Sequence, residues 1–204
     1  MKTARELAEV LPALPSISVD RTYARRVALA DLLGISGSVP ASALTLTVRN
    51  PQFLWTSKAA YRFNRDGIEV LYVGEGESAA GAEAKQHPGL AGFDEEPTAP
   101  ATLFCISVRA SRLLDLTSSR IQAALGTREA ELIAPWLLRS PNSPTQILGQ
   151  AIFDAAVFEG IRYRCSPLAK IGEDGRCLAL FKARKRPESV VRVFDPSETW
   201  DQEW

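Results

Sequence analysis

The spacing of apolar residues changes several times along this chain. Between residues 3 and 14, Leu7, Val10, Leu11 and Leu14 repeat at helical intervals, and Pro12 and Pro15 end that element early. Asp20 is placed to cap a second helix through about Leu33, with Gly34 and Gly37 closing it. Residues 36–43 read as a linker. From Leu44 the period shortens to two. Residues 44–48 alternate as a half-buried strand does, and residues 68–73 form a second strand entered through an Asp66-Gly67 turn. Residues 78–87 are Ala-rich and stop at Pro88, which predicts a short helix capped by Ser78. The acidic stretch 89–100 reads as an exposed loop. A β-rich run covers 102–108, and 113–116 extends or follows it. Helical spacing returns over 119–125, 128–138 and 143–158. In the last of these, Ile147, Ala151, Ala155 and Phe158 share one face. Residues 160–164, 177–181 and 190–194 are the closing strands. The order lacks regular β-α-β alternation, so the expected class is α+β.

Composition narrows the function classes. The chain has 204 residues, 46% of them apolar, enough for one domain with a real core. Lys plus Arg and Asp plus Glu are both 24, so the formal charge is zero and a nucleic-acid surface is not expected. Three cysteines, Cys105, Cys165 and Cys177, are an odd number without a C-x-x-C pair. Neither a disulfide framework nor a zinc site is expected from that spacing, and a reducing compartment, the cytoplasm, fits. The start of the chain lacks the apolar segment of a signal peptide, and no run approaches the ~20 apolar residues of a membrane helix.

Several motifs fail on inspection. Gly74-Glu-Gly76-Glu-Ser-Ala79 follows a strand, opens a helix and fits the dinucleotide fingerprint. However, Glu75 and Glu77 would put carboxylates where phosphate should sit. The ribose-binding acid expected ~20 residues on falls in an acidic loop instead. Glu83 and His87 have the i, i+4 spacing of two metal ligands, but there is no second histidine. G-x-S-x-G is absent, and any cysteine nucleophile would also have to use His87.

Four residues carry more. Arg62 has the planar fork that binds phosphate oxygens bidentately. Tyr72 lies on a strand, and Ser166 precedes Pro167 in an extended segment. Taken singly, these have ordinary explanations as a surface arginine, a strand aromatic and a turn residue. Glu83 is different. It sits among alanines on a helix too apolar to be wholly exposed, and a carboxylate there costs energy unless it has a partner or a task.

Taken together, Tyr61-Arg62-Phe63-Asn64, Gly67, Val70-Leu71-Tyr72-Val73, Ser78-Ala79-Ala80 and Glu83 resemble the first half of the RES domain, a family named for an Arg, a Glu and a Ser. Pro144 to Ala151, Phe158 to Ser166 and Cys177 to Phe181 resemble its second half. The resemblance covers roughly 45–195, so residues 1–43 are expected to be a helical extension and 44–204 the catalytic domain. Tyr61 stands where the family usually has Gly, Phe63 where it has Trp, and Cys177 where a polar residue, often Asn, is common. Tyr61 could therefore crowd the turn before Arg62, and Cys177 could remove a hydrogen bond near the substrate.

The resemblance implies an ADP-ribosyltransferase-like mixed β core with flanking helices, and an enzyme that degrades NAD. It further implies the toxin of a toxin–antitoxin pair, with a helix-turn-helix antitoxin as partner, and it leaves room for a homodimer. NAD would be substrate rather than cofactor, with water or inorganic phosphate as acceptor and no metal. Carried over residue by residue, Glu83 would stabilise the ribosyl cation and Arg62 would hold the pyrophosphate. Tyr72 would contact the nicotinamide half, and Ser166 would fix a ribose or phosphate oxygen. Arg62 and Glu83 are expected to face a wet cleft. Two other readings stay open: transfer of ADP-ribose to a macromolecule, and a binding module whose site has decayed.

Overall fold

The computed structural model describes residues 1–29, 58–84, 101–137 and 142–194. Helix α1 (Ala4–Val10) opens with a capping box between Thr3 and Glu6 and passes into a 3-10 turn at Leu11–Ala13. Next come β1 (Ile17–Ala28), β2 (Val70–Gly74), α2 (Glu77–Ala84) and β3 (Ala101–Asp115). Two short helices, α3 (Ser119–Ala124) and α4 (Glu129–Leu132), precede the longer α5 (Pro144–Ala155). Strand β4 (Gly160–Arg164), helix α6 (Ser166–Lys170), β5 (Arg176–Phe181) and β6 (Val190–Val193) complete the described chain. The mixed sheet with helices packed on it is the expected α+β class. Among the described residues, no helix is long and apolar enough to cross a membrane.

Pairing runs β1-β2-β5-β4-β3-β6, and β1 also pairs β3, so five strands form a closed circuit with β6 on β3. Among the described residues, only β3–β4 is parallel. Residue parity then sorts the side chains between two cores. Val70 and Tyr72 of β2, Ile161 and Tyr163 of β4, and Cys177, Ala179 and Phe181 of β5 face the helices. Leu71, Val73, Leu178 and Leu180 face the other way, onto Tyr23, Ile106 and Val108.

The expected helix from Asp20 is instead strand β1, which pairs with β3 from Ile17↔Leu113 to Ala28↔Ala101. Tyr23 and Val27, both buried, are four apart, a spacing that puts residues on one face of a helix or of a strand. Ile17, Val19, Thr22 and Val27 are β-branched, and the long-range pairing decides. This segment belongs to the sheet and is not a helical appendage. Leu7 and Leu11, by contrast, are helical and fully buried in the core, as the apolar spacing implied.

Other corrections have local causes. Residues 102–108 and 113–115 lie on one continuous strand, β3, so the second run extends the first, as one of the two expected readings had it, and Leu116 falls just past its end. Helix α4 stops at Leu132 because Pro135 cannot continue it. Helix α2 begins at Glu77, so Ser78 lies inside it. Ser166 starts helix α6, where Pro167 is tolerated in the first turn. The expected strand at 44–48, His87 and the loop 89–100 lie outside the described residues.

Helix α5 buries Thr145, Gln146, Leu148, Gly149 and Ile152, not the face led by Ile147. Gln146 and Gly149 are covered because they press on the turn that carries Arg62. A Cβ on Gly149 would fall 1.9 Å from the Phe63 carbonyl oxygen. Gly74 is similar: a Cβ there would sit 2.4 Å from the Ala80 nitrogen. That glycine lets α2 pack tightly on β2, which accounts for the fingerprint-like string without any phosphate.

Buried Glu159 ties β3 to the loop before β6. Its carboxylate accepts from the backbone N–H groups of Ser111, Arg112 and Arg186 at 3.0–3.1 Å. Burial alone would raise this carboxyl, but the hydrogen bonds outweigh it and hold it below the ordinary value.

Gly149→Ala is expected to destabilise the protein by about 3 kcal/mol or more, since backbone must move to admit the methyl group. Gly81→Ala is the contrast: its Cβ meets nothing within 4 Å on helix α2, so it should stabilise by about 0.5–1 kcal/mol. Urea melts of both variants check the pair. Equal midpoints would show that α5 does not press on the turn.

Candidate active site

The string Tyr61-Arg62-Phe63-Asn64 folds into a tight turn bridged between Tyr61 and Asn64. Asn64 organises it. Its amide donates to the carbonyls of Ala59, Arg65 and Ile68, and its Oδ1 accepts from the Tyr72 hydroxyl at 2.8 Å. The Phe63 N–H donates to that same hydroxyl at 3.0 Å. Phe63 enters the core against Tyr163, with ring centroids 4.7 Å apart. Tyr61 does not crowd the turn. It packs on Tyr72 and Trp136 at 4.7 and 5.2 Å, and its hydroxyl donates to the Glu83 carbonyl at 2.9 Å.

Arg62 points inward and has 0% of its surface exposed. Its Nη1 donates to the carbonyls of Leu132 and Ala134 at 2.8 and 3.1 Å. The Ser166 hydroxyl donates to the carbonyl between them, Ile133, at 2.6 Å. Arg62 and Ser166, a hundred residues apart, thus hold one segment from two sides. Glu83 reaches the same region from α2, on the face it shares with Ala79 and Ala80. Its Oε1 accepts from the Tyr163 hydroxyl at 3.0 Å, and the Cys165 thiol lies 3.9 Å from Oε2. The fold therefore brings Arg62, Tyr72, Glu83 and Ser166 together under the turn. The wet cleft is corrected: Arg62 and Ser166 have no exposed surface and Glu83 only 5%.

Burial raises the Glu83 carboxyl above its ordinary 4.5, while the Arg62 charge and the bonds from Tyr163 and Cys165 oppose the rise. This is the reverse of Glu159, a second buried carboxylate in the same protein. The neighbouring thiols are coupled. A hydrogen bond between them pushes Cys165 down and Cys177 up.

The expected site residues did not include Tyr61, Asn64, Tyr163 or Cys165. The signal for Tyr163 and Cys165 was parity: both share the strand face that leads to Ser166. A small cavity of about 160 Å³ adjoins the site, lined by Arg128, Glu131, Ala134, Trp136 and Thr145 among others. None of the four expected residues lines it. It is smaller than the ~300–1,000 Å³ of ordinary ligand pockets.

No curated protein sequence matches the chain. Among solved structures, a chain of the M. tuberculosis MbcT–MbcA toxin–antitoxin complex aligns with a TM-score of 0.56. The alignment covers 95% of this chain and 94% of that one at 16% identity, a likeness of fold. The sequence model of the RES domain matches residues 46–204. That match spans well over half of the sequence, and the chain belongs to the RES domain family.

Proposed function

We propose that this protein cleaves the nicotinamide–ribose bond of NAD, as a glycohydrolase or phosphorylase, and acts as the toxin of a bacterial toxin–antitoxin pair. Family membership and a fold shared with a chain of a toxin–antitoxin complex support the toxin role. A helix-turn-helix antitoxin would be its partner, and the cytoplasm its place of action. The observation that carries the chemistry is Glu83, a carboxylate buried beside a guanidinium and under a phenol, with its proton affinity raised.

Nicotinamide in NAD is already cationic, so its departure needs no general acid, which suits a site with no histidine among the described residues. The C1′–N bond breaks and its electron pair goes to the nicotinamide nitrogen. An oxygen of water or phosphate then bonds to C1′, and with water the surplus proton passes to solvent. Ionised Glu83 stabilises the ribosyl cation between these events. Tyr163 holds the carboxylate in orientation. Tyr72 presents its ring, since its hydroxyl is committed to Asn64. For Arg62 to hold the pyrophosphate and Ser166 a sugar or phosphate oxygen, residues 132–134 must yield their carbonyl contacts. Substrate entry therefore requires that segment to move.

Glu83→Gln is expected to lower turnover about 100-fold or more with NAD affinity nearly intact, because it removes only the charge facing the cation. Arg62→Ala should weaken NAD binding and also lower the melting temperature, since the lost guanidinium leaves two buried carbonyls without their donor. Nicotinamide release by pure protein, with and without phosphate, checks both. Wild-type turnover in Glu83→Gln would refute the assignment. Release that depends on an added protein acceptor would favour ADP-ribose transfer instead.

The reaction needs Glu83 ionised, so activity should rise with pH through a midpoint above 4.5. Stability runs the other way. A carboxyl whose folded value is raised favours the folded state fully below the unfolded value, and that contribution is lost as pH rises through the folded value. Glu83→Gln keeps the neutral form and should flatten this part of the stability profile. Glu159 has the opposite sign: its contribution is present above 4.5 and is lost as pH falls through its lowered value. Paired denaturation profiles of wild type and Glu83→Gln test the sign.

A further inference from the structure

Cys165 and Cys177 are twelve residues apart, a spacing with no metal-binding signature. The fold removes that separation. Tyr163 pairs with Cys177 across β4 and β5, and the Cys165 N–H donates to the Gly175 carbonyl, so the two thiols become diagonal neighbours on one face. That face lies beneath α2, which brings Glu83 to the same point. The two sulfurs and a carboxylate oxygen of Glu83 all lie within 4.8 Å of one another, and all three residues are buried.

We propose that Glu83, Cys165 and Cys177 form a binding site for a zinc-type divalent cation, and that the bound metal holds the enzyme inactive. A tetrahedral zinc with sulfur ligands at about 2.3 Å separates its sulfurs by roughly 3.8 Å. The 3.9 Å between the Cys165 sulfur and the Glu83 oxygen already approaches such a spacing. Two thiolates and a carboxylate are a donor set that selects zinc over magnesium or calcium. Charge also closes. Binding releases two thiol protons to solvent, and the metal with three anionic ligands and nearby Arg62 sums to zero, which suits a buried site. The fourth coordination position is left to water. Glu83 cannot be a metal ligand and face a ribosyl cation at once, so loading and turnover exclude each other. The inhibitory part rests on the NAD reading above, whereas the site itself does not.

The test is titration of the full-length protein, reduced with a phosphine, with cobalt(II) alone, followed to equilibrium because the ligands are buried. One equivalent should produce the intense near-ultraviolet thiolate-to-cobalt band. The band should persist in Cys105→Ser, which alters the exposed cysteine, and vanish in Cys165→Ser and in Cys177→Ser. Glu83→Gln should keep the band and weaken binding about tenfold or more. Equimolar zinc should raise the wild-type melting temperature and leave that of Cys177→Ser unchanged. No band in the wild type, or a band that survives in Cys177→Ser, overturns the site. Zinc should also stop nicotinamide release, with recovery on chelation. A cobalt band in a protein that never consumes NAD would keep the site and discard the NAD reading. Turnover unaffected by a fully loaded site would discard the inhibitory role.

Discussion

Arg62 carries a full positive charge at a position with no exposed surface, and the surrounding fold is arranged to hold it. A bare guanidinium in such a place is very costly, so it must be met by oxygen atoms and by opposite charge. The carbonyls of Leu132 and Ala134 supply the first, and Glu83 supplies the second. Neither partner is local. One comes from a segment seventy residues later and the other from a helix across the turn. Seating Arg62 therefore fixes where α2 and the 132–134 segment sit. The Asn64 hydrogen bonds and the Gly149 contact hold the turn that aims it.

The two buried carboxylates show how one residue type is set to two purposes. Glu159 is held by backbone N–H groups and stays acidic, a fastener between strand and loop. Glu83 is held by side chains on other elements, and burial raises its carboxyl above the ordinary value. Desolvation against donors decides between these outcomes, and neither is visible from the letter Glu.

Much of the fold was legible because its elements carry their own periods. β4, β5 and α3 end within about a residue of where the apolar spacing put them. What failed was whatever long-range pairing decides. Tyr23 and Val27 fit a helix or a strand equally, and only β3, eighty residues on, resolves them. At the site, the motif order pointed to Arg62, Tyr72, Glu83 and Ser166 as neighbours. Their burial was hidden, because it depends on carbonyls at 132–134, a stretch with no signature of its own. The buried face of α5 was hidden for a related reason: Gln146 and Gly149 are covered by a turn, not drawn in by hydrophobicity.

The strand pairing also governs when the molecule can exist at all on the ribosome. β1 waits for β3, and β2 gains its second neighbour only from β5 at Arg176–Phe181. Tyr163, Cys165, Ser166 and Cys177 all come from the last quarter of the chain. A nascent polypeptide that has already released Arg62 and Glu83 from the exit tunnel holds a turn and a helix with no floor beneath them. The site has no half-built form. It assembles in the same closing event as the sheet, late in synthesis, with the slow kinetics that distant strand partners impose.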